Sequence, residues 1–220
     1  MAHLLATTGG THAPVPIAMG RSCFLLLSLT PIALAGQPVL NQANMTPTVG
    51  HTVVFHEGTW MAPGAGGANA TWNFAGVAGP VDVTFTYINP ASGQAAASFP
   101  TATVAWQADN AVYNYQRITA TGILDLGVHT VGLGTAVASD PQLVFQFPCT
   151  YNTSWTDPFV INSTMGGFDA TVNGTTQALA DGYGTLILPH GTFTNVLRLR
   201  VTRNQTTSFM GMSTVTNEVM

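Results

Sequence analysis

Apolar and polar residues alternate one by one along several stretches of this chain. In residues 81–87, two valines, Phe85 and Tyr87 alternate with an aspartate and two threonines. In residues 197–202, two leucines and Val201 alternate with two arginines and a threonine. Successive side chains of a strand point to opposite faces of its sheet, so this period of two predicts half-buried antiparallel strands. We expect the apolar residues of 197–202 to face the core and both arginines to face away.

Glycine, proline and asparagine separate these stretches at short intervals. Asn173-Gly174 lies between two strand-like segments, and Asn-Gly tolerates the two positive φ angles of a type I′ hairpin turn. Asp109-Asn110 and Pro189-His190-Gly191 read as further turns. No apolar period of about 3.6 residues continues after residue 36. The pattern predicts roughly ten to twelve short strands arranged as an all-β antiparallel β-sandwich.

The composition supports that fold class. Only 6% of the residues are charged, against about 25% in an ordinary soluble domain. The sequence contains no lysine, so its exposed positions must be filled largely by threonine, asparagine, glutamine and serine. Threonine in particular suits exposed strand positions better than helix surfaces. The 23 glycines and 13 prolines would also interrupt long helices.

The first 36 residues differ from the rest. A single charge, Arg21, precedes an apolar run over residues 23–35 that ends in Ala33-Leu34-Ala35. A basic flank, a short apolar run and an A-x-A ending are typical of a secretory signal peptide. Met19 precedes Gly20-Arg21, so residues 1–18 can also be read as an over-long start. We therefore predict a helical signal peptide over 1–36 and one β-sandwich ectodomain over 37–220.

Charge and cysteine content limit the partners. Without residues 1–36 the chain holds four arginines and nine acids, a net charge of about −5, which disfavours nucleic acid or an anionic membrane as a partner. We expect no membrane insertion once the signal is removed. Cys149 is then the only cysteine, so an intramolecular disulfide is impossible, and a lone cysteine is more often a small buried apolar residue than a nucleophile.

Residues with catalytic potential are scattered. His56 and Glu57 follow the first strand, and Asp82 begins a later one, which makes a shallow hydrolase site at these three residues a weak candidate. Glu57 with Asp82, or Glu57 with Asp125, would supply the two carboxylates that a glycosidase needs. A zinc site would need distant histidines brought together by the fold, and no G-x-S-x-G motif is present.

Two kinds of binding site are also open. Trp106, Tyr113 and Tyr115 lie on adjacent predicted strands, with Arg117 on the same face as the tyrosines, and exposed rings there would form a stacking platform for sugars. The alternative is that these rings pack in the core. Asp169 and Asp181 are weak calcium candidates, because the dense spacing of aspartates in calcium loops is missing. No other cofactor is expected.

Two segments carry a resemblance. Residues 63–74, PGAGGANATWNF, and residues 180–200, ADGYGTLILPHGTFTNVLRLR, resemble the large class of secreted Bacteroidota proteins in which a β-rich ectodomain precedes a sorting domain read by the type IX secretion system. The resemblance implies export and display on, or release from, the outer cell surface, and it implies no reaction. No sorting domain is recognisable, so we expect either a longer native chain or a sorting route carried elsewhere.

These observations favour a secreted or cell-surface binding module that acts in adhesion or contacts extracellular polysaccharide or a surface glycan. Two alternatives stay open from the sequence. One is an extracellular hydrolase with its site near Glu57, and the other is a structural ectodomain that spaces other modules.

Overall fold

The computed structural model describes residues 4–5, 36–57, 59–77, 81–165 and 167–219. The predicted signal peptide lies outside the described residues, apart from Leu4, Leu5 and Gly36. A four-residue helix, α1 (Gln42–Met45), and two 3-10 turns, Pro90–Ser92 and Ala96–Ser98, are the described helical elements. The strands are β1 Leu4–Leu5, β2 Thr52–Glu57, β3 Gly67–Asn73, β4 Val81–Ile88, β5 Val104–Ala108, β6 Val112–Thr119, β7 Gly122–Thr130, β8 Gly134–Gln146, β9 Ser154–Met165, β10 Phe168–Leu188, β11 Gly191–Phe209 and β12 Met212–Val219.

Hydrogen bonds join these strands into one twelve-stranded sheet in the order β1-β11-β10-β9-β8-β7-β6-β5-β4-β2. From β4 to β12 each strand pairs with the next along the chain, while β3 lies beside β10. The described pairings are antiparallel except that of β3 with β10. The predicted all-β antiparallel class is confirmed, although the backbone bonds form one continuous sheet where the sequence predicted a sandwich.

Strand β10 overturns the predicted hairpin at Asn173-Gly174. Both residues lie inside this 21-residue strand and pair with Thr206 and Gln205 of β11. Neither has a positive φ, which a type I′ turn requires. Gly174 instead provides space for the ring of Phe159, since a Cβ at residue 174 would lie 2.3 Å from that ring. The glycine is therefore used for close packing.

Other predicted turns are confirmed. Asp109 and Asn110 have φ angles of 51° and 53° and connect β5 to β6. Pro189 and His190 connect β10 to β11, where Leu188 pairs with Gly191. Asp181 and Gly182 lie inside β10, at an irregularity where the register with β11 shifts.

The sheet opens between β8 and β9. Their last backbone pair is Asp140 with Val160, and beyond Pro141 strand β8 pairs with β7 alone. From there β9 reaches β8 through side chains: Trp155 Nε1 donates to the Leu143 carbonyl at 3.1 Å, and Asp157 Oδ2 accepts from the Leu143 N–H at 2.7 Å. The two halves of the sheet therefore diverge at this point.

The main hydrophobic core packs where the halves diverge. Its buried members come from strands on both sides and include Val104, Ile118, Phe145, Trp155, Ala178 and Leu197. Leu40, from the segment before α1, joins them and exchanges two backbone hydrogen bonds with Cys149.

The alternation over residues 197–202 is confirmed. Leu197 is buried in the main core, and Leu199 and Val201 pack against it. Arg200 is exposed, and Arg198, on the same face, is largely covered and forms an ion pair with Asp181.

Candidate functional site

A broad polar surface covers the face of β8–β12 that lies opposite the main core. Thr176 and Ala178 of β10 are buried, so alternation places Thr175 and Gln177 on the opposite face. The strand register extends this face in rows, as when Thr175 pairs with Asn204 and Asn204 with Asn217. Five strands at about 4.8 Å spacing make it about 19 Å wide. We call it the polar face: Thr135, Asn162, Thr164, Asp169, Thr171, Asn173, Thr175, Gln177, Thr202, Asn204, Thr206, Ser208, Ser213 and Asn217. The apolar residues that lie in the same rows are Val137, Pro158, Val160, Val215 and Val219.

Hydroxyl and amide groups dominate the polar face. Asp169 lies at one end of the face and Arg200 lies just beyond its other end. The side chains between them are uncharged. Thr171 Oγ1 donates to Asn162 Oδ1 at 3.1 Å, and Asn162 Nδ2 donates to Ser139 Oγ at 2.9 Å. These bonds orient the amide before any ligand arrives. The face can therefore offer donors and acceptors to a hydroxylated, uncharged ligand.

Two shallow depressions lie on the polar face. One of about 420 Å³ is bordered by Asn162, Thr164, Asp169 and Thr171 among others. The second, of about 320 Å³, is bordered by Asn173, Thr175, Asn204, Thr206 and Val215 among others. Strand β10 borders both, so one extended ligand could occupy the two depressions together.

A buried polar network lies on the other, concave face. Thr176 Oγ1 lies 2.5 Å from Gln142 Nε2, and Arg203 Nη2 donates to Gln142 Oε1 at 3.2 Å. Gln142 lies beyond Pro141, where β8 no longer pairs with β9, so its contact with Arg203 of β11 joins the two diverging halves of the sheet.

Asp125 is the acidic member of the network. Its Oδ1 accepts from Asn114 Nδ2 and from the Gly127 N–H, each at 3.0 Å. Burial raises the pKa of the Asp125 carboxyl, and the two hydrogen bonds and the positive charge of Arg203 partly offset that rise. Asn114 Oδ1 and Arg203 Nε are buried without a partner among the described residues. The sequence did not indicate this network, because it is assembled from five strands.

The glycine-rich segment before β3 is a surface loop that is fixed to the sheet at its C-terminal end. Arg198 Nη1 donates to the carbonyls of Pro63 and Gly64 at 2.9 and 3.0 Å. Arg198 Nε and Nη2 donate to the two carboxylate oxygens of Asp181 at 2.7 and 2.8 Å. The guanidinium also lies 5.2 Å from the ring centroid of Trp72, whose Nε1 donates to the Ala65 carbonyl at 3.0 Å. We call this arrangement, in which Arg198 and Asp181 hold the loop carbonyls beside Trp72, the clasp.

The predicted aromatic platform is not exposed at its two tyrosines. Tyr113 and Tyr115 are 6% and 0% exposed, in a second core beneath the segment that contains the 3-10 turns. Tyr115 stacks on Phe99 with centroids 4.2 Å apart, its hydroxyl donates to the Gln94 carbonyl, and burial raises its pKa. Since both rings are covered by packing, neither can stack on a ligand.

The other two predicted binding residues are half-buried. Trp106 packs edge-on against Phe85, with centroids 4.6 Å apart. Arg117 has a buried Nε with no partner among the described residues. Trp106 pairs with Asn114 of β6, so it lies on the opposite face of the sheet from Tyr113 and Tyr115.

The predicted hydrolase residues are described only by their backbones. The register of β2 and β4 pairs His56 with Asp82 and Glu57 with Val81. The side chains of these four residues lie outside the part of the chain that is described. The hydrolase site therefore remains a prediction.

The two calcium candidates are not brought together. Asp169 and Asp181 are twelve residues apart on β10, about 40 Å along an extended strand. Both oxygens of Asp181 accept from Arg198, and Asp169 Oδ1 accepts from Thr164 Oγ1 at 2.8 Å. Within the described ranges, no group of three or more His, Cys, Asp or Glu side chains is arranged to hold a metal ion.

Cys149 is fully buried in the main core, as its sequence context predicted. Burial raises the pKa of its thiol to about 11, with a smaller opposing effect from a hydrogen bond with Thr153. The thiol is therefore protonated at neutral pH and a poor nucleophile.

Comparisons with known proteins identify no relative: no protein-family model, curated protein or solved structure matches this chain. Over the residues that are described, no helix is both long and apolar enough to cross a membrane.

Proposed function

We propose that the protein is an exported binding module that contacts a neutral carbohydrate through the polar face. The observation that supports this proposal is the chemistry of the face: hydroxyl and amide side chains in register on five neighbouring strands, with single charges only near its two ends. Sugar hydroxyls both donate and accept hydrogen bonds, as do these side chains. Export rests on the predicted signal peptide.

Charge favours a neutral ligand over an anionic one. The whole chain has a formal net charge of −4. The face lacks the clustered basic side chains that a nucleic acid or an acidic glycan would need. Adhesion through an uncharged polysaccharide therefore fits the surface best.

The hydrolase alternative retains one supporting observation, the backbone pairing of His56 with Asp82 at the sheet edge. The same polysaccharides can test it, since hydrolysis would release new reducing ends and binding would not. The third alternative, a spacer, predicts neither binding nor release.

The polar face can be tested with a cross-strand pair of substitutions. Asn173 and Thr206 pair directly on β10 and β11 and border the smaller depression. Binding of the full chain to a panel of soluble neutral polysaccharides, such as dextran, glucomannan and xylan, would be measured by calorimetry. Each lost hydrogen bond contributes about 1 kcal/mol, so Asn173→Ala/Thr206→Ala should weaken binding about tenfold or more.

The matched control is Thr52→Ala/Thr86→Ala, a cross-strand pair on β2 and β4 with hydroxyl oxygens 3.4 Å apart. This pair lies at the opposite edge of the sheet, so the double variant should bind the polysaccharide with the same affinity as the unsubstituted protein. Equal loss in both double variants, or no binding by the unsubstituted protein, would refute the proposal.

A further inference from the structure

The loop of residues 59–66 combines a fixed base with an exposed apolar tip. Its base is held by three hydrogen bonds to the carbonyls of Pro63, Gly64 and Ala65. Trp60 is 81% exposed, more than any other large apolar side chain among the described residues, and its neighbour Met61 is 41% exposed. An indole that is 81% exposed, with the partly exposed Met61 beside it, forms an apolar patch in water on an anchored loop, and exposed apolar patches are typical of contact sites.

The clasp places this tip beside one end of the polar face. Arg198, Arg200 and Thr202 follow one another at alternate positions of β11, so they share one face of the sheet. Arg198 holds the Pro63 carbonyl, and three residues of extended chain span at most about 10 Å. Trp60 therefore lies within about 10 Å of Pro63, whose carbonyl is bound by Arg198, the neighbour of Arg200 on this face.

Charge at this end of the face is largely cancelled. The guanidinium of Arg198 is bound by both oxygens of Asp181, so the pair presents little net charge to a ligand. Gln177 and Thr202, which pair across β10 and β11, add an amide and a hydroxyl next to this position. The surroundings of the indole are thus polar and mostly neutral, with Arg200 as the one unpaired cation nearby among the described residues.

We propose that Trp60 is the stacking residue of the carbohydrate site, where its indole packs against the C–H face of a sugar ring while hydroxyls of the same chain bond to the polar face. This inference rests on the proposed function and adds the residue that selects for a sugar with an unhindered apolar face. An aromatic surface and hydrogen-bonding groups side by side match the two kinds of surface that a sugar ring presents.

The test uses the full chain, the polysaccharide of the panel that binds it best, and three variants. Trp60→Ala should weaken binding about tenfold, and Trp60→Phe should weaken it less because a smaller ring remains. Val54→Ala is the matched control: Val54 is also exposed, at 47%, but lies on the edge strand β2, and its variant should bind normally. Circular dichroism and thermal midpoints would verify that all variants fold.

A second readout reports on the indole itself. Trp72 and Trp155 are buried and Trp106 is half-buried, so acrylamide quenching of fluorescence should come mainly from Trp60. Bound polysaccharide should protect the unsubstituted protein from quenching, and this protection should be absent in Trp60→Phe.

The outcomes separate this inference from the proposed function. Binding that is lost in Asn173→Ala/Thr206→Ala but unchanged in Trp60→Ala would overturn the role of Trp60 and leave the polar face as the site. Absence of polysaccharide binding would overturn both. Trp60-dependent binding to vesicles of phosphatidylcholine, without polysaccharide binding, would assign the tip to a lipid surface and likewise overturn the inference.

Discussion

At the scale of single residues, Arg198 connects the sheet to the loop of residues 59–66 through several interactions. Its guanidinium binds the carboxylate of Asp181, two loop carbonyls and the face of Trp72. The side chains of Arg198 and Asp181 are only 13% and 14% exposed. A planar group with five donors is required for this geometry, and an ammonium group cannot reproduce it.

We expect Arg198→Ala to lower the free energy of unfolding by about 2–4 kcal/mol, because it leaves the Asp181 carboxylate and the loop carbonyls without partners. Arg198→Lys should restore only part of the loss. Urea denaturation would measure both, and limited proteolysis would report release of residues 59–66. The control is Arg200→Ala, which removes an exposed arginine from the same strand and should change stability by less than about 0.5 kcal/mol. Equal effects of the two alanine variants would contradict the clasp.

Asp125 gives the protein a dependence on pH. Burial raises the pKa of its carboxyl in the folded state, so the folded state binds the proton more tightly than the unfolded state does. Stability from this residue is then greatest below the unfolded pKa of about 4, and falls as pH rises through the folded pKa.

Asp125→Asn keeps an oxygen that can accept from Asn114 and Gly127 but carries no charge. We therefore expect the stability of Asp125→Asn relative to the unsubstituted protein to increase as pH rises from about 4 to 7. Urea midpoints at several pH values would measure it. Thr176→Val alters the same network without changing a titratable group, so its stability should differ from that of the unsubstituted protein by the same amount at every pH. A pH-independent difference for Asp125→Asn would show that burial does not perturb this carboxyl.

At the scale of elements, β10 determines how several other elements pair. Its first half pairs with β9, and its second half with β3 in parallel, while β11 follows its other edge throughout. Gly184 makes the parallel pairing possible. Its φ is +156°, and a Cβ there would lie 1.9 Å from the Ala70 carbonyl oxygen.

We expect Gly184→Ala to cost about 3 kcal/mol or more, because both the backbone angle and the contact with β3 are incompatible with a side chain. Thermal unfolding would show the loss, and amide hydrogen exchange should show it first in residues 67–73. Gly191→Ala is the control, since a Cβ there meets nothing closer than 3.9 Å, and it should cost less than about 1 kcal/mol. Protection of β3 that survives Gly184→Ala would contradict this account.

Local signals predicted some of these elements and missed others. The alternation in residues 81–87 and 197–202 and the turn at Asp109-Asn110 depend on neighbouring residues, so the sequence was sufficient for them. Asn173-Gly174 has the local preference of a turn, but the ring of Phe159 and the pairing with β9 and β11 hold it in a strand. The parallel strand β3 depends on residues more than a hundred positions away, and no local signal indicates it.

The candidate site follows the same rule. The aromatic stretch at Tyr113 and Tyr115 has the spacing of a platform, but alternation does not say which face of a strand is covered. The segment of residues 89–103 covers this one. The polar face could have been suspected from the threonines and asparagines that alternate in residues 169–177 and 202–208. Its assembly from five strands required the register.

At the scale of the whole molecule, low charge is the property that most constrains recognition. Residues of the polar face between Asp169 and Arg200 are uncharged, so electrostatic attraction would contribute little to the proposed binding. We expect the dissociation constant for a neutral polysaccharide to change less than about twofold between 50 and 500 mM NaCl, because no counterions are released. Calorimetry in the two salts would measure it. A steep decrease in affinity with salt would point to an acidic ligand bound through Arg200.

Leu40 gives the opening between β8 and β9 a final consequence. This residue is 4% exposed, and its backbone is bound to Cys149, so the segment that leads into α1 covers the core. Truncation of the chain to residue 38 or 39 would leave Leu40 in place, whereas truncation beyond Leu40 would expose the core to solvent. The thiol of Cys149 would then become reachable, and its alkylation by iodoacetamide would show whether the segment before α1 still covers the core.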